Sequence, residues 1–251
     1  MTWWASGLGL FAAMMIAFFP SIRGNADFNV MLESYPEDLM ALFGLTELKD
    51  ITSAVGFLNA ELFGFMGPLL FVIHGVVQGS GAIAGEEGRG TLEILLTEPI
   101  SRGKLVAQKA AAMVTNSVVL GLVLWAVLVI GALAIDMDVS VAHLAAATFS
   151  TVLLGVTFGA LAFCAGCFTG KRSTSVAIVS GVAVVTYLLN AASGIVSSMQ
   201  VAKWLSPFFY YNGANPLANG LHPGHTAVLL ATIAILLGAG YLGFTRRDLR
   251  L

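Results

Sequence analysis

The chain has 251 residues, of which 57% are hydrophobic and only 10% charged, with a net charge of −2. Its mean hydropathy is +0.87. A water-soluble domain keeps roughly a quarter of its residues charged, so 12 Lys+Arg and 14 Asp+Glu cannot coat a globule of this size, and no nucleic-acid partner is expected.

In chain order, the first apolar stretch covers 3–19. It has no basic leading region, and Phe18-Phe19-Pro20 is no small-residue cleavage site, so it reads as a retained span and not as a signal peptide. An outer loop over 21–61 follows, with two short amphipathic helices expected in it. One carries Phe28, Val30, Met31 and Leu32; the other starts at Pro36, Glu37 and Asp38 ahead of Leu39, Met40, Leu42 and Phe43. The second span is 62–84, and a charged segment, 85–102, separates it from the third at 110–135. The fourth is 141–168 and the fifth 176–199. The loop 200–225 is aromatic, with Trp204, Phe208, Phe209, Tyr210 and Tyr211, and Pro207, Pro216 and Pro223 prevent one continuous helix there. The sixth span is 226–244, before a tail over 245–251. Each stretch approaches the about 20 residues a bilayer-spanning helix needs, and backbone in lipid must pair with itself. The short alternating segments of a membrane β-barrel are absent. The expected fold is one all-α polytopic membrane domain of six spans.

Charge sets the expected topology. Arg89, Arg102, Lys104, Lys109, Lys171, Arg172, Arg246, Arg247 and Arg250 fall on one side, against Arg23, Lys49 and Lys203 on the other. The second side also carries Asp27, Glu33, Glu37, Asp38, Glu47, Asp50, Asp136 and Asp138. The positive-inside rule makes the first side cytoplasmic, with both termini there. The expected location is a cell membrane, bacterial or archaeal.

The segment 85–102 reads GEEGRGTLEILLTEPISR. Gly88 and Gly90 break the incoming helix, and Thr91 is a fitting N-cap. Leu92, Leu95 and Leu96 then share a face, with Glu93 in the first turn. Pro99 ends the helix and Ser101 can cap the next. The expectation is a short cytoplasmic helix with an exposed leucine face, which needs either a partner or the membrane surface.

On Gly85, Glu86, Glu87, Arg89, Gly90, Thr91, Leu92, Glu93, Leu95, Leu96, Pro99, Ser101 and Arg102 the sequence resembles the ABC-2 type transporter permeases, in particular six-span subunits encoded apart from their ATPase. Looser similarity includes Tyr35-Pro36-Glu37, Gly56-Phe57-Leu58-Asn59 and Pro68-Leu69-Leu70. The resemblance implies an ABC-2, type V exporter-like fold in which this segment, Gly88 included, is a coupling helix docked on the ATPase. Leu92, Leu95 and Leu96 would meet the ATPase, with Glu86, Glu87, Arg89 and Glu93 setting orientation by charge. It also implies two ATPase subunits, which would hold ATP and Mg, and a second permease copy or paralogue. Substrate would be lipid, peptide, antibiotic or drug moving outward. Family members usually begin with a basic amphipathic helix before the first span, where this sequence has Trp3-Trp4.

Other motifs weigh less. Gly79-Ser80-Gly81-Ala82-Ile83-Ala84 matches a dinucleotide fingerprint but ends a span, with no strand before it. GCFTGKR over 166–172 lacks the first glycine and the Ser/Thr of a phosphate loop, so the chain is not expected to hydrolyse ATP. No cofactor, metal site or catalytic residue is expected. Cys164 and Cys167, without nearby His or Met ligands, read as packing residues, and His222 and His225 as a turn around Pro223-Gly224. His74 and Gln78 share a helix face in mid-span; with Asn116 and Asn190 they are candidates either for a translocation path or for interhelical hydrogen bonding. Gly75/Gly79, Gly81/Gly85, Gly155/Gly159 and Gly166/Gly170 are small-xxx-small pairs that permit close helix approach. An ion-gradient transporter is the rival reading, but no acid lies within a span and no repeat is evident. The other rival is a non-transporting assembly or regulatory subunit.

Overall fold

The computed structural model describes residues 1–25, 30, 34, 51–92 and 100–247. Among them, six helices are long and apolar enough to cross a membrane. We label them α1 (Thr2–Phe18), α2 (Ala54–Ala82), α3 (Arg102–Ala134), α4 (Val141–Thr169), α5 (Arg172–Ile195) and α6 (Pro223–Arg246). The two expected amphipathic helices of the outer loop lie outside the described residues.

Helix α4 is the axis of the bundle. Of its most apolar stretch 78% is buried, against 17% for α5 and for α6. Its sequence explains this position, because Ala146, Ala147, Gly155, Gly159, Ala160 and Ala162 let neighbours approach closely. The closest approach is to α2. A Cβ on Gly75 or Gly79 would overlap the carbonyl oxygens of Gly155 and Gly159, and one on Gly155 would meet the Phe71 carbonyl oxygen at 2.7 Å. Two of the small-xxx-small pairs therefore face one another inside the chain. Gly81, by contrast, has open space where its Cβ would stand. Two buried hydroxyls on α4 are satisfied along the helix: Thr151 and Thr157 donate to the carbonyls of Ala147 and Leu153 at 2.8 Å each.

Helix ends follow their capping chemistry more than their hydropathy. The third helix begins at Arg102, well before the apolar stretch expected from 110, because the Ser101 hydroxyl accepts from the Lys104 amide at 3.3 Å. Likewise α2 begins at Ala54, where Ser53 accepts from Gly56 at 3.1 Å. Gly170, at φ +65, closes α4 in the left-handed conformation, and α5 starts two residues later. The loop between α5 and α6 is broken at its prolines: Pro207, Pro216 and Pro223 each stand at the start of a helix, where the missing amide costs nothing.

Within α2, residues Asn59–Met66 are π-helical. Beside this segment Tyr211 is buried, donating its hydroxyl to the Phe63 carbonyl at 2.7 Å, with the Thr151 hydroxyl 3.3 Å from the same oxygen. Burial pushes the Tyr211 phenol up from its ordinary value of 10.0, with the Thr151 contact acting the other way.

Candidate functional site

The chemistry-bearing residues gather at one end of the bundle. The Gln78 amide nitrogen lies 4.0 Å from the Met1 sulfur, and Arg247 pairs with Glu87. Both ends of the described chain therefore sit where α2 finishes, on the face that carries Arg89, Arg102, Lys104, Lys109, Lys171, Arg172 and Arg246.

The segment leaving α2 is anchored here by charge. Ala84–Glu87 form one further helical turn. Glu86 then pairs with Lys109 on α3, and Glu87 with Arg247 just past α6. Arg247 also donates to the Cys167 carbonyl on α4 at 2.9 Å, and its own carbonyl accepts from Arg102 at 3.3 Å. Four elements, the end of α2, α3, α4 and the end of α6, thus meet around two carboxylates. All four paired side chains are partly exposed, so these are interfacial pairs rather than deeply buried ones.

Several expectations for 85–102 change. Glu86 and Glu87, to which the resemblance gives the setting of orientation by charge, are each engaged by a cation of this chain. Leu92 was expected on an exposed face, but it is 2% exposed and belongs to the core with Leu105 and Val106. Leucine in an apolar environment this close to the bundle is stabilised by burial, which the segment's short linkage to α3 permits. Thr91 was expected to cap a new helix; its hydroxyl instead donates back to the Glu86 carbonyl at 3.2 Å. Arg89 remains exposed, Gly90 takes a positive φ of 72, and Ser101 caps α3 as expected. Glu93, Leu95, Leu96 and Pro99 lie outside the described residues.

The second constellation does not assemble. His74 is fully enclosed, packed edge-on against Trp4 at 5.3 Å between ring centroids, with Gln78 Nε2 3.4 Å from its Nε2. It therefore faces α1 within the bundle. Asn116 and Asn190 are half-buried on α3 and α5, and among the described residues no hydrogen bond joins them to His74 or Gln78. On the opposite end, His222 accepts from the His225 amide at 3.3 Å and so caps α6. This capping role was not read from the sequence, although a polar residue directly before Pro223 signals it.

The family model described as ABC-2 family transporter protein matches residues 4–249, nearly the whole chain. The chain belongs to the ABC-2 transporter family. A comparison with curated proteins finds no match. As an ABC-2 permease it is a multi-pass membrane subunit of a kind that is generally non-catalytic and that associates with an ABC ATPase. The sequence resemblance and the six-helix bundle agree on this family. Two features of this ABC-2 permease were not foreseen: the Glu86–Lys109 and Glu87–Arg247 pairs. The available signal was charge, since two adjacent acids sit on a face rich in Lys and Arg.

Proposed function

We propose that this permease is the membrane half of an ATP-driven exporter, with segment 85–102 coupling it to a separate ATPase. Both termini and this segment would lie in the cytoplasm, as the positive-inside rule requires. Two ATPase subunits, which carry ATP and Mg, would act on two permease copies or a paralogous pair. The cargo would be hydrophobic or amphipathic: a lipid, peptide, antibiotic or drug. The observation that carries the reading is mechanical. The segment is tied at one end to α3 and the Arg247 region by Glu86 and Glu87, and at the other to α3 by the Ser101 cap. A push on it displaces α2, α3, α4 and the end of α6 together, since Arg247 also holds the Cys167 carbonyl. Leu95 and Leu96 are the residues proposed to take that push.

The test is reconstitution with a candidate ABC ATPase. The expected result is outward transport that needs ATP and is stopped by vanadate, and that Leu95→Asp/Leu96→Asp abolishes together with ATPase co-purification. Uptake driven by an ion gradient without ATP would overturn the reading, as would retained ATPase stimulation by the double variant.

A further inference from the structure

Beside the two ion pairs lies a cleft of about 380 Å³, bounded by Gly85, Arg89, Gly170, Lys171, Arg172 and Ser173. It joins the end of α2 to the short turn between α4 and α5. Three of its side chains are cationic, and they come from both walls. Arg89 and Arg172 converge over bare backbone: a Cβ at Gly85 would lie 3.6 Å from Arg172 Cδ and 3.9 Å from Arg89 Nη2. Three cations lining one cleft repel one another unless an anion stands among them.

This chain does not supply that anion among its described residues. The carboxylates closest in sequence, Glu86 and Glu87, are taken by Lys109 and Arg247. No described carboxylate pairs with Arg89, Lys171 or Arg172. The first turn of α5, whose Arg172 and Ser173 line the same cleft, has no acidic residue and no side-chain cap.

We propose that this cleft binds a phosphate group, carried by an anionic phospholipid headgroup. Guanidinium pairs match phosphate oxygens in bidentate geometry, and basic pockets at the ends of membrane helices suit such headgroups. The lipid source follows from what continues out of the cleft. Ser173 shares a face of α5 with Ala177, Gly181, Val184, Val185 and Leu188 at helical spacing. The last three are at least half exposed, at 58%, 55% and 50%. A phosphate seated on Arg89 and Arg172 therefore has an apolar track running from it into the bilayer, as an acyl chain requires; a soluble anion or an acidic protein side chain has no use for one.

The purified full-length permease, in detergent, tests this by native mass spectrometry with dioleoylphosphatidylglycerol, dioleoylphosphatidylcholine or inorganic phosphate added. The expected result is preferential retention of the glycerol lipid over the choline lipid by roughly tenfold, from two cations at the membrane surface. Arg89→Gln/Arg172→Gln removes the preference, Arg89→Lys/Arg172→Lys keeps most of it, and Lys104→Gln, on the same face but outside the cleft, keeps it. Equal loss with Lys104→Gln would overturn the cleft in favour of a diffuse basic surface. Retention of inorganic phosphate alone, with no lipid preference, would leave the phosphate site and overturn its lipid source. Unchanged lipid retention in the Gln variant, with loss of ATPase co-purification, would overturn the proposal in favour of an acidic partner side chain. Should the Gln variant not fold, Arg172→Gln alone reads the same retention.

Discussion

Gly79 lies so close beneath Gly159 that a Cβ at position 79 would overlap its carbonyl oxygen, with the Phe163 amide nitrogen 2.9 Å from the same point. Both obstacles are backbone of the central helix, which cannot rotate away as a side chain can. The contact therefore fixes the distance between α2 and α4, and the rest of the bundle is arranged around that pair.

Gly79→Ala forces the two helices apart, and we expect a loss of about 1–3 kcal/mol, the usual cost of overpacking. Gly81→Ala, two residues on and facing open space, should be neutral or stabilising by up to about 1 kcal/mol through better helix propensity. Thermal unfolding of the two variants in one detergent separates them. Equal midpoints would show that the helices do not meet at Gly159.

Leu92 and Leu95 should behave as different kinds of residue although they stand only three apart in the sequence. Leu92→Asp puts a charge into the core, so the variant should lose folded protein, seen as aggregation on size exclusion, with several kcal/mol at stake. Leu95→Asp should keep its monodisperse peak and lose only the ATPase. If Leu92→Asp elutes like the parent, its burial is wrong.

A double-mutant cycle on Glu87→Gln and Arg247→Gln should give a coupling energy of about 0.5–1 kcal/mol, as for partly exposed pairs. Arg247→Gln alone should cost more than Glu87→Gln alone, because it also forfeits the bond to the Cys167 carbonyl. Urea or thermal titrations of the four proteins measure both statements, and additive effects would remove the pair from the account.

Tyr211→Phe deletes the donor to the Phe63 carbonyl and should cost about 1–3 kcal/mol, the penalty for a buried acceptor left unpaired. Burial raises the phenol above its ordinary 10.0, so the folded state holds its proton more tightly than the unfolded one. That contribution is fully present at neutral pH and is lost as the pH climbs past the ordinary value. An ultraviolet titration comparing parent with Tyr211→Phe should show one tyrosine ionising later than the others.

Hydropathy was enough to find six spans, because lipid imposes one demand on every residue in a stretch. Helix ends answer to capping instead, as the Ser101 cap read from the sequence does for α3. Arg102, Lys104 and Lys109 ended the apolar run, yet the helix continues through them to Ser101, since long cationic chains extend toward water while their backbone stays helical. The glycine pairs were legible as close-approach sites, but sequence spacing cannot say that 75/79 meets 155/159. The same limit hid the pairs of Glu86 and Glu87, whose partners lie 23 and 160 residues away. For Leu92 the periodicity carried no information on how far the core extends.

The π-helical turn in α2 has a consequence for how this chain can vary. A π turn accommodates one residue more than an α turn, and one residue is about 100° of helix rotation. Deleting a single residue within 59–66 would restore ordinary winding and swing everything outward of it, from Ala54 to Leu58, by about that angle relative to the glycine contact. Asn59 would then leave Asn215, to which its amide donates at 3.1 Å, and the Phe63 carbonyl would no longer be free for Tyr211. Indels here should be rarer than substitutions, because the count of residues, more than their identity, keeps the outer half of α2 in phase with the inner half.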